Sequence, residues 1–255
     1  MTVPSALHVA QTRVEALTFF FPVLNEEEHV RPLVARALEV LPAVAERFEI
    51  IVVDDGSTDR TGSYADEIAR TDPRVRVVHH ASRRGYGGAI RSGIAASRHP
   101  LVFFTDGDRQ FDPADIALLL PGLASADAVI GYRRKRSDPL RRRFVGWCYN
   151  RAIRIFFGLP VRDVDCAFKL LRREVFDRVP LELVRSNGAF FSAELLIRMH
   201  EAGIRVTQLA VPHHPRSWGE PKGAPPRVIV RAIHDLLALR WTLWRRTERS
   251  AKRTA

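Results

Sequence analysis

Asp106 and Asp108 stand one residue apart directly after the apolar run Leu101-Val102-Phe103-Phe104. Such a run reads as a buried strand. On an extended backbone side chains alternate with period two, so Asp-Gly-Asp aims both carboxylates to one side. Two such groups can hold a hard divalent cation, and the cation can hold a diphosphate. Alone, an Asp-rich tripeptide is more often a solvated turn, but two further polar clusters share its context. Pro22-Val23-Leu24-Asn25-Glu26 closes one apolar run, and Asp54-Asp55-Gly56-Ser57-Thr58-Asp59 closes another. Open α/β sheets bind ligands at the carboxyl ends of their strands. Capping would account for each cluster singly, with Asn25 capping one helix and Ser57 or Thr58 the next. All three on one sheet edge point instead to a ligand.

The scaffold for these positions is an alternation of strand and helix signals. Strands are predicted over Leu17–Phe21 (stopped by Pro22), Phe48–Val53, Val75–Val78, Leu101–Thr105 and Ala128–Gly131. Helices are predicted over Glu26–Glu46, interrupted by Pro42, then from Ser57 or Thr58 to Arg70, and over Gly87–Ser97. This order implies βαβ units and a mainly parallel sheet flanked by helices, an α/β fold. Arg84-Gly85-Tyr86-Gly87-Gly88 precedes a helix and is read as a candidate phosphate cradle. It is not GxGxxG, which disfavours a dinucleotide site. Beyond Arg133 come a basic cluster to Arg143, a helix rich in Phe, Trp and Arg, a mixed segment Asp163–Glu194, and a Pro- and Gly-rich loop His213–Pro226.

The net charge of +11 over 255 residues predicts affinity for polyanions, and 46% hydrophobic residues supply a substantial core. No helix-turn-helix, RRM or zinc signature accompanies the charge, so nucleic acid is not expected as a partner. Cys148 and Cys166 form no CxxC pair, which fits a reducing, cytoplasmic setting. No apolar leader and no membrane-spanning run is present in the sequence. Near the end, Val230, Ile233, Leu237, Trp241 and Trp244 form one helical stripe, with Arg231, Asp235, Arg245 and Arg249 off it. Such a helix either lies on an anionic bilayer or docks on the catalytic domain.

The ordered set Pro22…Asn25-Glu26, Asp54 to Asp59, Gly85…Gly93, Asp106-Gly107-Asp108…Gln110 and Gly131-Tyr132-Arg133 resembles the family 2 glycosyltransferases of the GT-A (Rossmann-like) fold. More narrowly it resembles their polyprenyl-phosphate, dolichol-phosphate mannose synthase-like branch. Asp163 to Lys169, Phe191 to Leu195 and Pro215 to Lys222 match further segments of that branch. Ala167 stands where the branch has Gly, Pro221 where it has Ser, and Arg83 where it has Asn.

The resemblance implies an inverting transfer from an NDP-sugar, GDP-mannose or a UDP-hexose, to an undecaprenyl or dolichyl phosphate. Pro22, Asn25, Glu26, Asp54, Asp106 and Gly107 would bind the nucleotide sugar, and Asp106, Asp108 and Gln110 would hold Mg²⁺ or Mn²⁺. Arg133, with Arg142 or Arg143 nearby and Arg216 on the loop, would position the acceptor phosphate. Asp108 carries the catalytic metal role; Asp165 is the candidate base if the acceptor is instead a hydroxyl. A nucleotidyltransferase would show a Gly-rich basic loop after the first strand, where this chain has Pro22 to Glu26. The expected organisation is a tail (1–14), a GT-A domain (15–226) and a basic amphipathic helix with its tail (227–255), peripheral to an anionic membrane surface.

Overall fold

The computed structural model describes residues 13–134, 140–215 and 226–254. Its seven strands are β1 (Val14–Val23), β2 (Ala45–Asp54), β3 (Val75–His79), β4 (Leu101–Phe104), β5 (Ala128–Arg133), β6 (Lys169–Arg172) and β7 (Val206–Val211). The helices are α1 (Glu27–Val44), α2 (Thr61–Thr71), α3 (Tyr86–Ala96), α4 (Leu140–Phe157), α5 (Val175–Arg178), α6 (Phe191–Glu201) and α7 (Pro226–Thr254). One sheet in the order β3-β2-β1-β4-β6-β5-β7 contains every strand. Only β6 runs antiparallel to its neighbours, β4 and β5.

Alternation along the strands splits the core in two. Leu17, Phe19, Phe21, Ile50 and Val52 pack with Val30, Leu33 and Val34 of α1. Phe20, Ile51 and Val53 face the other way, among Ala89 and Ile90 of α3 and Leu195 and Leu196 of α6. In-register rings strengthen the β1–β4 seam on both faces: Phe19 stacks on Phe103 at 5.0 Å and Phe20 on Phe104 at 5.1 Å. Such pairs contribute about 1 kcal/mol each beyond their buried area.

Several boundaries differ from the sequence reading, each for a local reason. β1 continues through Pro22. Phe20 accepts from Thr105 on the β4 side, so Pro22, two residues on, points its missing N–H where β4 has already ended. α1 runs through Pro42 into its last turn, and β2 begins immediately at Ala45. Ser57 and Thr58 cap nothing: α2 starts at Thr61, where the Asp59 carboxylate accepts the Thr61 N–H at 2.9 Å. β6 and β7 were not expected. Both are short, and β7 is half-buried without strong alternation.

α7 meets the body through one face only. Leu236, Leu239 and Leu243 are buried in the core cluster that also holds α6 residues, while Val230, Ile233, Leu237, Trp241 and Trp244 are exposed. The stripe read from the sequence therefore points outward, and a second row of leucines docks the helix.

Candidate active site

Register brings the strand-end clusters together. Val23 pairs with Asp54 across β1 and β2, and β4 lies on the other side of β1. The loop after β4 folds onto the end of β1. A side chain at Gly107 would sit 2.6 Å from the Pro22 carbonyl oxygen and 2.8 Å from Val23, so only glycine permits the approach. Pro22, Gly107 and the two flanking aspartates thus share one edge.

Much of the polar chemistry at this edge builds the pocket wall. Asn25 adopts a left-handed φ of 51°. Its N–H donates to Ser57 Oγ at 3.0 Å, and its Oδ1 accepts from the Thr58 N–H at 2.8 Å. That staple joins the ends of β1 and β2. Glu26 meets His29 Nδ1 at 2.7 Å, and its N–H donates to Thr61 Oγ1 at 2.8 Å. Asp54 is buried and doubly engaged, accepting from the Ser57 N–H at 2.9 Å and facing His79 Nδ1 at 3.0 Å. The hydrogen bond from Asp66 raises the His79 pKa above its ordinary value, and Asp54 adds to this against partial burial.

Asp55 faces the other neighbour. It meets His80 Nδ1 at 2.7 Å and accepts from the Arg84 and Gly85 N–H groups at 2.8 and 2.9 Å. Gly87 donates its N–H to Asn187 O at 3.1 Å. Three of the five amides from Arg84 to Gly88 are thus spent inside the protein, which weighs against the phosphate-cradle reading. The loop instead carries Tyr86 to the buried side of Asp106.

At the cation edge, burial and the adjacent Asp108 carboxylate push the Asp106 carboxyl up to about 7. Mutual repulsion of this kind is relieved by a cation. Arg109 holds a left-handed φ of 60°, and the turn lets Asp108 Oδ1 accept the Gln110 N–H at 3.1 Å. Gln110 Nε2 donates to the His214 carbonyl at 3.2 Å, and the His214 N–H returns to the Gln110 carbonyl at 2.8 Å. Among the described residues no group of three His, Cys, Asp or Glu forms a ready-made cage. The donor set fits Mg²⁺ or Mn²⁺, ions commonly bound by one or two carboxylates together with substrate phosphates.

Arg133 lies across β6 from this edge rather than on a strand next to β4. Its guanidinium is held by Asp163, Nε to Oδ2 at 2.6 Å and Nη2 to Oδ1 at 2.7 Å, with the side chain 10% exposed. Burial would lower its pKa; the Asp163 bond and charge outweigh that and raise it. Beside it opens a cleft of about 300 Å³ lined by Tyr132, Arg133, Arg143, Trp147, Asn150, Arg162 and Asp163. Arg162 was not singled out in the sequence; its proximity comes from the turn before Asp163. Asp165 lies within electrostatic reach of Arg133 and Tyr86. Arg216 and the segment to Lys222 lie outside the described residues, as does the Arg142 side chain.

The Glycosyl transferase family 2 model matches residues 18–179, most of this scaffold. The chain belongs to that family. Among its relatives, the dodecaprenyl-phosphate galacturonate synthase of Rhizobium johnstonii is 33% identical over 88% of this chain and 66% of its own length. This glycosyltransferase therefore spans slightly under two thirds of that relative. The polyprenol monophosphomannose synthase of Mycolicibacterium smegmatis is 32% identical over 79% of this chain and 78% of its own. The GT-A fold is shared with glucosyl-3-phosphoglycerate synthase from Mycobacterium tuberculosis, solved with Mn²⁺, UDP and glucosyl-3-phosphoglycerate. The TM-score is 0.66 at 21% identity, over 89% of this chain and 80% of that one.

For this family 2 glycosyltransferase, Asp54→Ala removes both the Ser57 and the His79 contact at the end of β2. The expected result is NDP affinity weakened by about tenfold, on the order of one buried charged hydrogen bond. Calorimetry with NDP and Mn²⁺ checks it; unchanged affinity removes Asp54 from the donor pocket.

Proposed function

We propose that the protein transfers a sugar from a nucleoside diphosphate sugar to a polyprenyl phosphate, with inversion, while lying on the cytoplasmic face of a membrane. One observation carries the choice of acceptor. The arginine-lined cleft runs into an apolar helix face: Trp147 lines the cleft, is 63% exposed, and stacks with the exposed Phe144 at 6.1 Å. Leu140, one turn earlier, is exposed as well. An anionic head in the cleft with an apolar tail along α4 describes a lipid phosphate better than a sugar hydroxyl.

In this reading the phosphate oxygen attacks the anomeric carbon, its bond to carbon forms, and the bond to the diphosphate oxygen breaks. A phosphate is already an anionic nucleophile, so Asp165 need not take a proton. Asp106 and Asp108, with Gln110, would hold Mg²⁺ or Mn²⁺, which supplies charge neutralisation on the leaving diphosphate. Arg133, fixed in plane by Asp163, and Arg143 orient the acceptor, with Arg216 assigned the same task from the loop. Residues 15–226 serve as the catalytic domain and 227–255 as the membrane-facing helix.

Two exposed apolar stripes support peripheral attachment, one on α4 and one on α7, and Trp241 and Trp244 lie 5.2 Å apart on the latter. No helix among the described residues is long and apolar enough to cross a membrane. Trp241→Ser with Trp244→Ser should reduce co-sedimentation with vesicles containing phosphatidylglycerol by about tenfold or more. Undiminished binding assigns the stripe another purpose.

The reaction itself is tested with radiolabelled GDP-mannose, UDP-glucose or UDP-GlcNAc, undecaprenyl phosphate and Mn²⁺. Label entering the organic phase supports the proposal. Label confined to aqueous glycoside when glycan acceptors are supplied supports a hydroxyl acceptor.

A further inference from the structure

Lys169 brings a complete lysine side chain into the interior at 1% exposure. It pairs in register with Phe104 of β4 and with Ile130 of β5, so it bridges the strand that delivers Asp106 and the strand that delivers Arg133. Its ammonium donates to the Cys166 carbonyl and to Ser192 Oγ at 3.4 Å, and lies 5.8 Å from the Phe104 ring centre. Asp106, Asp163 and Asp165 surround it within electrostatic reach. Burial pushes the ammonium pKa down and these carboxylates oppose that shift.

Packing does not require a cation here. A buried charge costs several kcal/mol of desolvation, and an apolar side chain of similar volume would fill the space without that cost. The surroundings supply a reason. Asp106, Asp163 and Asp165 act on Lys169 where two strand ends and one strand start meet. Arg133 is committed to Asp163. An anionic acceptor approaching this junction meets the negative field of these carboxylates.

We propose that Lys169 is a positioning residue for the acceptor: a built-in cation whose charge offsets the carboxylates at the donor–acceptor junction and lets a phosphate approach them. This rests on the reading that the acceptor is a phosphate. The ammonium touches the Cys166 carbonyl and the Ser192 hydroxyl and acts on the acceptor through its charge.

The test compares Lys169→Met with Lys169→Arg, using farnesyl phosphate as a soluble probe of acceptor binding. Calorimetry first measures Mn²⁺ with NDP, then farnesyl phosphate on the protein saturated with both. Lys169→Met should keep Mn²⁺–NDP affinity within about threefold, or tighten it, because a nearby positive charge has gone. It should weaken farnesyl phosphate by about thirtyfold, the order of one charge–charge interaction at partly buried separation. Lys169→Arg should recover most of that loss. Equal loss in both variants, unchanged farnesyl phosphate affinity, or parallel loss of Mn²⁺–NDP affinity would overturn the proposal. If Lys169→Met does not give the wild-type circular dichroism spectrum, Lys169→Gln replaces it; failure of both to fold assigns the charge to folding and also overturns it. Farnesyl phosphate bound by the wild type without sugar transfer would sink the proposed reaction alone, and no binding at all would sink the inference.

Discussion

Asp108→Asn is expected to lower sugar transfer by at least about 10³-fold while leaving the fold in place, since removing a metal's charge stabilisation removes several kcal/mol from the transition state. The carboxylate sits on a half-buried loop after β4, and the Gln110 N–H bond to Oδ1 can be kept by an amide oxygen. One negative charge is lost beside Asp106, whose carboxyl should then ionise more readily because the repulsion between the pair has gone. The measurement is a transfer assay with and without EDTA, alongside a thermal melt. A variant that turns over at the wild-type rate in EDTA would show that the pair holds no catalytic cation.

The second large effect concerns Arg133→Lys. Asp163 grips the guanidinium through two nitrogens and so leaves the fork in one orientation. An ammonium cannot satisfy both Asp163 oxygens and a phosphate in the same plane. The apparent KM for polyprenyl phosphate should rise by about tenfold or more, the order of one charge-assisted hydrogen bond. Slow hydrolysis of the nucleotide sugar by water should persist, because that side reaction uses no acceptor phosphate. Losses of equal size in transfer and hydrolysis would move Arg133 to the donor diphosphate and favour a hydroxyl acceptor.

The strand ends proposed to hold the donor were legible because their signals are local. Leu101 to Phe104 followed by Asp106 and Asp108 is a buried strand and its end, and the register of β1 with β2 and β4 sets three such ends side by side. Residues whose purpose depends on distant partners were not legible. The partner of Asp54, His79 from β3, was not foreseen. The Gly85-Tyr86-Gly87 run looked like an anion cradle. Its glycines instead admit the Ser186–Asn187 backbone, which no nearby residue announces. Lys169 sits in a four-residue strand whose polar ends hide its burial. The amphipathic stripe of α7 was read correctly as a stripe, but periodicity alone does not say which of two apolar rows meets the protein. The row that does, Leu236, Leu239 and Leu243, lies one or two residues before its neighbours Leu237, Trp241 and Trp244.

The reversed direction of β6 has an evolutionary corollary. Because β6 enters the sheet at the edge where β4 and β5 leave it, the chain between Arg133 and Lys169 departs and returns on the same side of the molecule. Its α4 and arginine-bearing turns form a cassette mounted on two neighbouring posts. Exposed positions of the cassette, away from the buried Cys166 and Phe168, can vary without disturbing the pairing of β1, β2 and β4, the strands proposed to carry the donor. On the proposed assignment, grafting residues 134–168 between relatives should exchange the acceptor while leaving the donor strands in place.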